Sequence, residues 1–155
     1  MTEEDTAQLA QCFASQAHAL AQLSIHLYGN LGAGKTTWTR YLLRALGVQG
    51  RIKSPTYALL EQYELDDHSF EAYHFDLYRL EAPQEWLESG LQETVQGPGL
   101  KLIEWPQKAG ELLDAPDLTL SFEFLPTSAQ QRQVRLTAHS AAGQQLAESV
   151  LKCAQ

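Results

Sequence analysis

Gly29-Asn30-Leu31-Gly32-Ala33-Gly34-Lys35-Thr36 reads as G-x-x-x-x-G-K-[ST], the loop that wraps a run of phosphates. Its flanks matter as much as its letters. Ser24 to Tyr28 alternates Ile25 and Leu27 with His26 and Tyr28, the period of a strand, and stops at the glycines. From Gly34 to about Leu46 the pattern is helical, with Gly47 as the stop. Strand, glycine turn and helix in that order point backbone N–H groups and the positive end of a helix at one place. The loop from Asn30 through Leu31, Gly32, Ala33, Gly34, Lys35 and Thr36 to Thr37 is therefore expected to hold a nucleoside triphosphate. Lys35 is placed to bridge the β- and γ-phosphates, and Thr36 to ligate Mg2+.

Outward from the loop, the pattern is that of one α/β domain over residues 1–155. An amphipathic helix is expected from about Thr6 to Ala21, capped by Asp5 or Thr6. Ser54-Pro55 marks a loop, because proline lacks an N–H and restricts the residue before it. Tyr57 to Leu65 and Phe70 to Leu77 flank Asp66-Asp67-His68-Ser69 as a β-hairpin would. Pro83 to Leu91 reads as a short helix, Gly97-Pro98-Gly99 as a turn, Leu100 to Glu104 as a buried strand, and Pro106 as the start of another short helix. Leu118 to Phe124 and Gln133 to Thr137 look like an antiparallel pair, followed by a helix from Ala141 to Cys153. The expected architecture is a P-loop NTPase-like three-layer fold, a mixed β-sheet flanked by helices.

Composition narrows the partners. A content of 44% hydrophobic and 19% charged residues is globular rather than disordered. A net charge of -8 argues against unaided, tight gripping of nucleic acid, whose affinity comes largely from cations that release counterions. Arg40, Arg44, Arg51 and Lys53 form a local basic stretch, read as a solvated face ahead of a phosphate or partner contact. The first residues are acidic, and no apolar run reaches the roughly 18 residues of a membrane span, so a cytoplasmic location is expected. Cys12 and Cys153 show no metal-site or redox-pair spacing and are expected to be free, buried thiols.

A loop of this kind needs a carboxylate at the end of a neighbouring strand. Glu104 closes a buried strand and is assigned to the metal or its water shell; Asp76 closes the hairpin and has two roles open, the metal's water shell or a salt bridge. Lys35, Asp76 and Glu104 are the expected catalytic set, with the acid that orients water left open between Asp76 and Glu104. His74 reads as a structural histidine before a base, and Arg79 as a surface charge before a charge stabiliser. Ser54 and Thr56 form the expected switch loop, Thr56 as the hydroxyl that senses Mg2+ and the γ-phosphate. Trp105 is open between stacking on a base, anchoring a partner and filling the core.

Four blocks, Leu27 to Thr37, Ser54-Pro55-Thr56-Tyr57, His74-Phe75-Asp76-Leu77-Tyr78-Arg79-Leu80 and Glu104-Trp105-Pro106, resemble in order and spacing the bacterial TsaE (YjeE) family. The resemblance spans most of the first two-thirds of the chain. It implies a weak ATPase, cycling between ATP and ADP with Mg2+, that supports tRNA threonylcarbamoyladenosine modification. It also implies a TsaD-type transferase and a TsaB-type subunit as partners, with tRNA met only through that complex. Thr6 matches a family threonine near the base or ribose. Asn30 stands where relatives commonly have aspartate, and no motif is recognisable after Leu113.

Two rivals use the same loop. A small-molecule or protein kinase would pass the γ-phosphate to a hydroxyl, but no arginine-rich lid follows the motifs and little chain remains for an acceptor site. A nucleotide-gated binding module would use ATP only to fix its shape. A GTPase lacks support, since there is no Asn-Lys-x-Asp segment.

Overall fold

The computed structural model describes residues 2–55, 58–65 and 70–155. In chain order these form α1 (Glu3–Ala14), α2 (Ala17–Leu20), β1 (Ser24–Tyr28), α3 (Lys35–Ala45), β2 (Leu60–Glu64) and β3 (Glu71–Asp76). There follow α4 (Gln84–Glu88), α5 (Gln92–Gln96), β4 (Leu100–Glu104), two 3-10 turns at Pro106–Lys108 and Gly110–Leu112, β5 (Leu118–Leu125), β6 (Ser128–Ala138) and α6 (Ala141–Cys153).

The strands make one mixed sheet in the order β2-β3-β4-β1-β5-β6. Its centre, β3-β4-β1-β5, is parallel, and both outer pairs are antiparallel. Both faces are covered, which explains why β4 is buried at every position, Lys101 and Glu104 included. On one face Ile25 and Leu27 pack with Phe13, Trp38 and Leu42 of α1 and α3; on the other Phe75 and Ile103 pack with Leu77, Trp86 and Val95. Edge-to-face ring pairs anchor each layer, Phe13 with Trp38 at 5.0 Å and Phe75 with Trp86 at 5.9 Å. The expected three-layer α/β architecture is the one observed.

Register places the chemistry. Leu27 of β1 lies opposite Glu104 of β4, and Glu104 opposite Asp76 of β3. The glycine loop and both acids thus leave the sheet at the same carboxyl edge, where open α/β sheets bind ligands.

The local expectations need four corrections. The first helix starts at Glu3, because Thr2 and Asp5 close a capping box that neither Asp5 nor Thr6 alone provides. It ends at Ala14, where the Ser15 hydroxyl donates to the Cys12 carbonyl at 2.7 Å, and a separate turn, α2, follows. Gln92–Gln96 is helical where only a turn was expected nearby, and β6 begins at Ser128 rather than Gln133. Finally, Cys12 and Cys153 are not free: they are joined by a disulfide, with Cα atoms 5.7 Å apart across a sequence separation of 141. Cys12 is buried and Cys153 exposed. A search for close spacing cannot see this pair, since it forms only when α6 lies down beside α1. The expected hairpin turn at residues 66–69 lies outside the described residues.

Candidate nucleotide site

At the carboxyl edge a cleft of about 560 Å3 is lined by the loop from Leu31 to Thr37 and by Thr6, Ser54, Asp76, Glu104 and Trp105. The loop bends as its glycines permit. Gly34 sits at φ 111°, in the left-handed region, as the N-cap of α3. Gly29, at φ 148°, runs so close to β5 that a Cβ there would lie 2.7 Å from the Phe122 carbonyl oxygen. Side chains are excluded there by contact as well as by conformation.

Lys35 follows at the first turn of α3 and is buried, with 4% exposure. Its ammonium donates to the Gly29 carbonyl and lies 3.8 Å from the centre of the Trp105 ring. Burial lowers its pKa, while the charges of Glu104 and Asp76 oppose the shift. The cation is thus held over an aromatic face between a carbonyl and two acids.

Thr36 donates its hydroxyl to Glu104, at 2.8 Å and 3.1 Å from the two carboxylate oxygens. Glu104 is 2% exposed, and His74 Nε2 lies 2.6 Å from its Oε2. Asp76 accepts from the Tyr78 N–H at 3.1 Å, and its carboxyl is shifted upward by burial first and then by the charge of Glu104. A hydroxyl and a carboxylate oxygen within hydrogen-bond distance, with a second acid in the next strand, are hard oxygen ligands of the type Mg2+ takes alongside phosphates and water. The donor set therefore fits that ion.

The remaining expectations fall as follows. Trp105 lies at φ 57° with its ring 5.0 Å from Tyr78, lining the cleft while packing, partly buried, against the Phe75 and Trp86 side of the core. Thr6 of α1 also lines the cleft, its hydroxyl donating to the Thr2 carbonyl at 3.1 Å. Ser54 reaches the cleft; Thr56 lies outside the described residues. Asn30 is placed in a neighbouring hollow with Tyr28 and Phe124. Arg79 lines the cleft, whereas none of Arg40, Arg44, Arg51 and Lys53 does.

The sequence profile described as "Threonylcarbamoyl adenosine biosynthesis protein TsaE" matches residues 1–134. The chain belongs to the TsaE family. Among TsaE relatives, the tRNA threonylcarbamoyladenosine biosynthesis protein TsaE of Haemophilus influenzae is 36% identical over 129 residues, covering 83% of this chain and 78% of its own. The Bacillus subtilis protein of the same name is 34% identical over 132 residues, or 85% and 77% of the two chains. The crystal structure of Bacillus subtilis YdiB matches with a TM-score of 0.78 and 26% identity, covering 98% of this chain and 90% of that one. Among the described residues of this TsaE chain, no helix is long and apolar enough to cross a membrane.

Sequence reading missed four contributors to the cleft: Glu3, Tyr78, Phe122 and Arg132. Tyr78 stood inside a TsaE block and was readable there. Arg132 had no local signal, because it reaches the loop from a strand that follows it by 100 residues.

Proposed function

We propose that this protein binds ATP with Mg2+ in the cleft and hydrolyses it slowly, and that this cycle supports threonylcarbamoylation of tRNA. The observation that carries the reading is the Thr36 hydroxyl held 2.8 Å from Glu104 at the mouth of a glycine loop bearing Lys35. The partners are a TsaD-type transferase and a TsaB-type subunit, and the setting is the cytoplasm. The family description and the names of the relatives support that pathway. The net charge of -8 suits a protein that leaves tRNA to those partners.

In this reading the loop N–H groups and the positive end of α3 bind the phosphate oxygens. Lys35 exchanges its Gly29 carbonyl for the β- and γ-phosphates, and Thr36 and Glu104 hold the metal, Glu104 being kept in place by His74. Mg2+ supplies neutralisation of charge on the β- and γ-oxygens. Asp76, whose burial favours its neutral form, and Glu104 are the two groups within reach of an attacking water.

The test is multiple-turnover threonylcarbamoylation of tRNA by the purified transferase complex, with wild type, Lys35→Ala or Glu104→Ala added and phosphate release followed in parallel. Repeated rounds with wild type and failure of both folded variants support the reading. Full activity without this protein removes it.

A further inference from the structure

We propose that a second hollow, at the amino edge of the sheet, binds a small amino acid in its zwitterionic form, Lys101 holding the carboxylate and Asp114 the ammonium. It measures about 410 Å3, and none of its lining residues lines the nucleotide cleft. The site does not depend on the ATP-binding reading.

Lys101 has no part in the chemistry at the carboxyl edge, yet it is only 3% exposed. Lysine is almost never buried so deeply unless it is paired. The ion pairs of the described residues, His74 with Glu104 and Arg135 with Glu123, do not include it. Its one hydrogen bond among the described residues is donated to the Gly97 carbonyl at 2.7 Å, at the C-terminal end of α5. An ammonium has three N–H donors, so that bond accounts for one of them. Burial lowers the pKa of Lys101, and the charge of Asp117 opposes the shift only in part. A buried cation without a counter-charge is costly, and a bound carboxylate supplies what the fold leaves out.

The fold brings the charged groups to one place. Lys101 pairs in register with Ser24, the first residue of β1, and lies two residues before Ile103, so both side chains are on the sheet face that Val95 of α5 covers. Ser24, Lys101, Asp114 and Asp117 all line the hollow. Asp117 is committed to the frame: Oδ2 accepts the Ser24 N–H at 2.9 Å and Oδ1 the Ser140 hydroxyl at 2.8 Å. Asp114 is exposed at the rim and accepts from Gln96 Nε2 with Oδ2 at 3.0 Å, while its Oδ1 has no partner among the described residues.

Charge selects the ligand. One ammonium and two carboxylates line the hollow. A phosphate would set its negative charges beside both acids, and a simple amine would be repelled by Lys101. A molecule with one carboxylate and one ammonium satisfies Lys101 and Asp114 together and adds no net charge. The volume of about 410 Å3 lies toward the small end of ligand pockets, which agrees.

The experiment titrates the isotope-labelled full chain with free glycine, acetate, methylammonium and inorganic phosphate in turn, following the amide resonances of Ser24, Lys101 and Asp117 by NMR. Free glycine should shift them saturably with a dissociation constant below about 10 mM, and bind more tightly than acetate, methylammonium or phosphate. Lys101→Met should weaken free glycine by about tenfold or more. Asp114→Asn, a change at an exposed position, should weaken free glycine by about fivefold without weakening acetate; it carries the test alone if Lys101→Met fails to fold. No saturable shift with free glycine would overturn the proposal. So would free glycine binding no tighter than acetate or methylammonium, phosphate binding tightest, or an affinity for free glycine untouched by Asp114→Asn.

Discussion

At the scale of single residues, the carboxylate of Glu104 accepts from Thr36 with Oε1 at 2.8 Å and has His74 Nε2 at 2.6 Å from Oε2. His74 touches no proposed ligand directly, so it is a positioning residue. Partners of this kind typically cost about 10- to 100-fold in metal affinity or activity when removed. His74→Ala should therefore raise the Mg2+ concentration needed for half-maximal phosphate release by that factor, with little change in the affinity for nucleotide measured without the metal. A second histidine gives a pH effect. His26 lies buried in β1, and burial first, then the charge of His139, push its pKa down to about 4 from 6.5. The unfolded chain thus binds the proton more readily. The stability from neutral His26 is fully present above pH 6.5 and is lost as the pH falls toward 4, a loss of about 3 kcal/mol. Urea unfolding of His26→Asn should show a shallower fall over that interval than wild type. Of these residues, Lys35, Thr36 and Glu104 were legible in sequence, because a short motif and a strand ending in an acid reveal them. Arg132 was not, because nothing near it in the chain speaks of a loop 100 residues away.

Elements were legible where their own residues decide them. The last helix was expected over Ala141 to Cys153 and forms there, because Ser140 caps it by accepting the Gly143 N–H at 3.0 Å. The first helix was placed too late, since its start is decided by the reciprocal Thr2 and Asp5 contacts. Long contacts override propensity at Gly143. In a free helix, alanine is favoured over glycine by about 1 kcal/mol. Here an added Cβ would lie 1.9 Å from the Asp117 carbonyl oxygen, a backbone atom that cannot swing aside. Packing wins, and Gly143→Ala should destabilise by about 1–3 kcal/mol despite the better propensity. Its melting temperature should fall by roughly 2–4 °C for each kcal/mol; an unchanged or higher value would show that α6 can shift without loss.

For the whole molecule, the sheet order was not legible: alternation marks strands but does not say that β1 lies between β4 and β5. The disulfide was missed for the same reason, since it depends on where α6 packs. Joining Cys12 to Cys153 restrains the unfolded chain across a separation of 141 residues. Bridges over long loops contribute about 2–5 kcal/mol when the native geometry accepts them. Reductant should accordingly lower the melting temperature of the oxidised wild type, and leave Cys153→Ser unaffected. In the cytoplasm, where thiols are kept reduced, the same bond would be open to exchange with glutathione.

That single bridge also makes the chain a ring with short tails. A protease that cuts once at an exposed loop between the two cysteines opens the ring without dividing it. The product keeps its full mass on a gel run without reductant, and falls into two fragments only when the sulfur bond is broken.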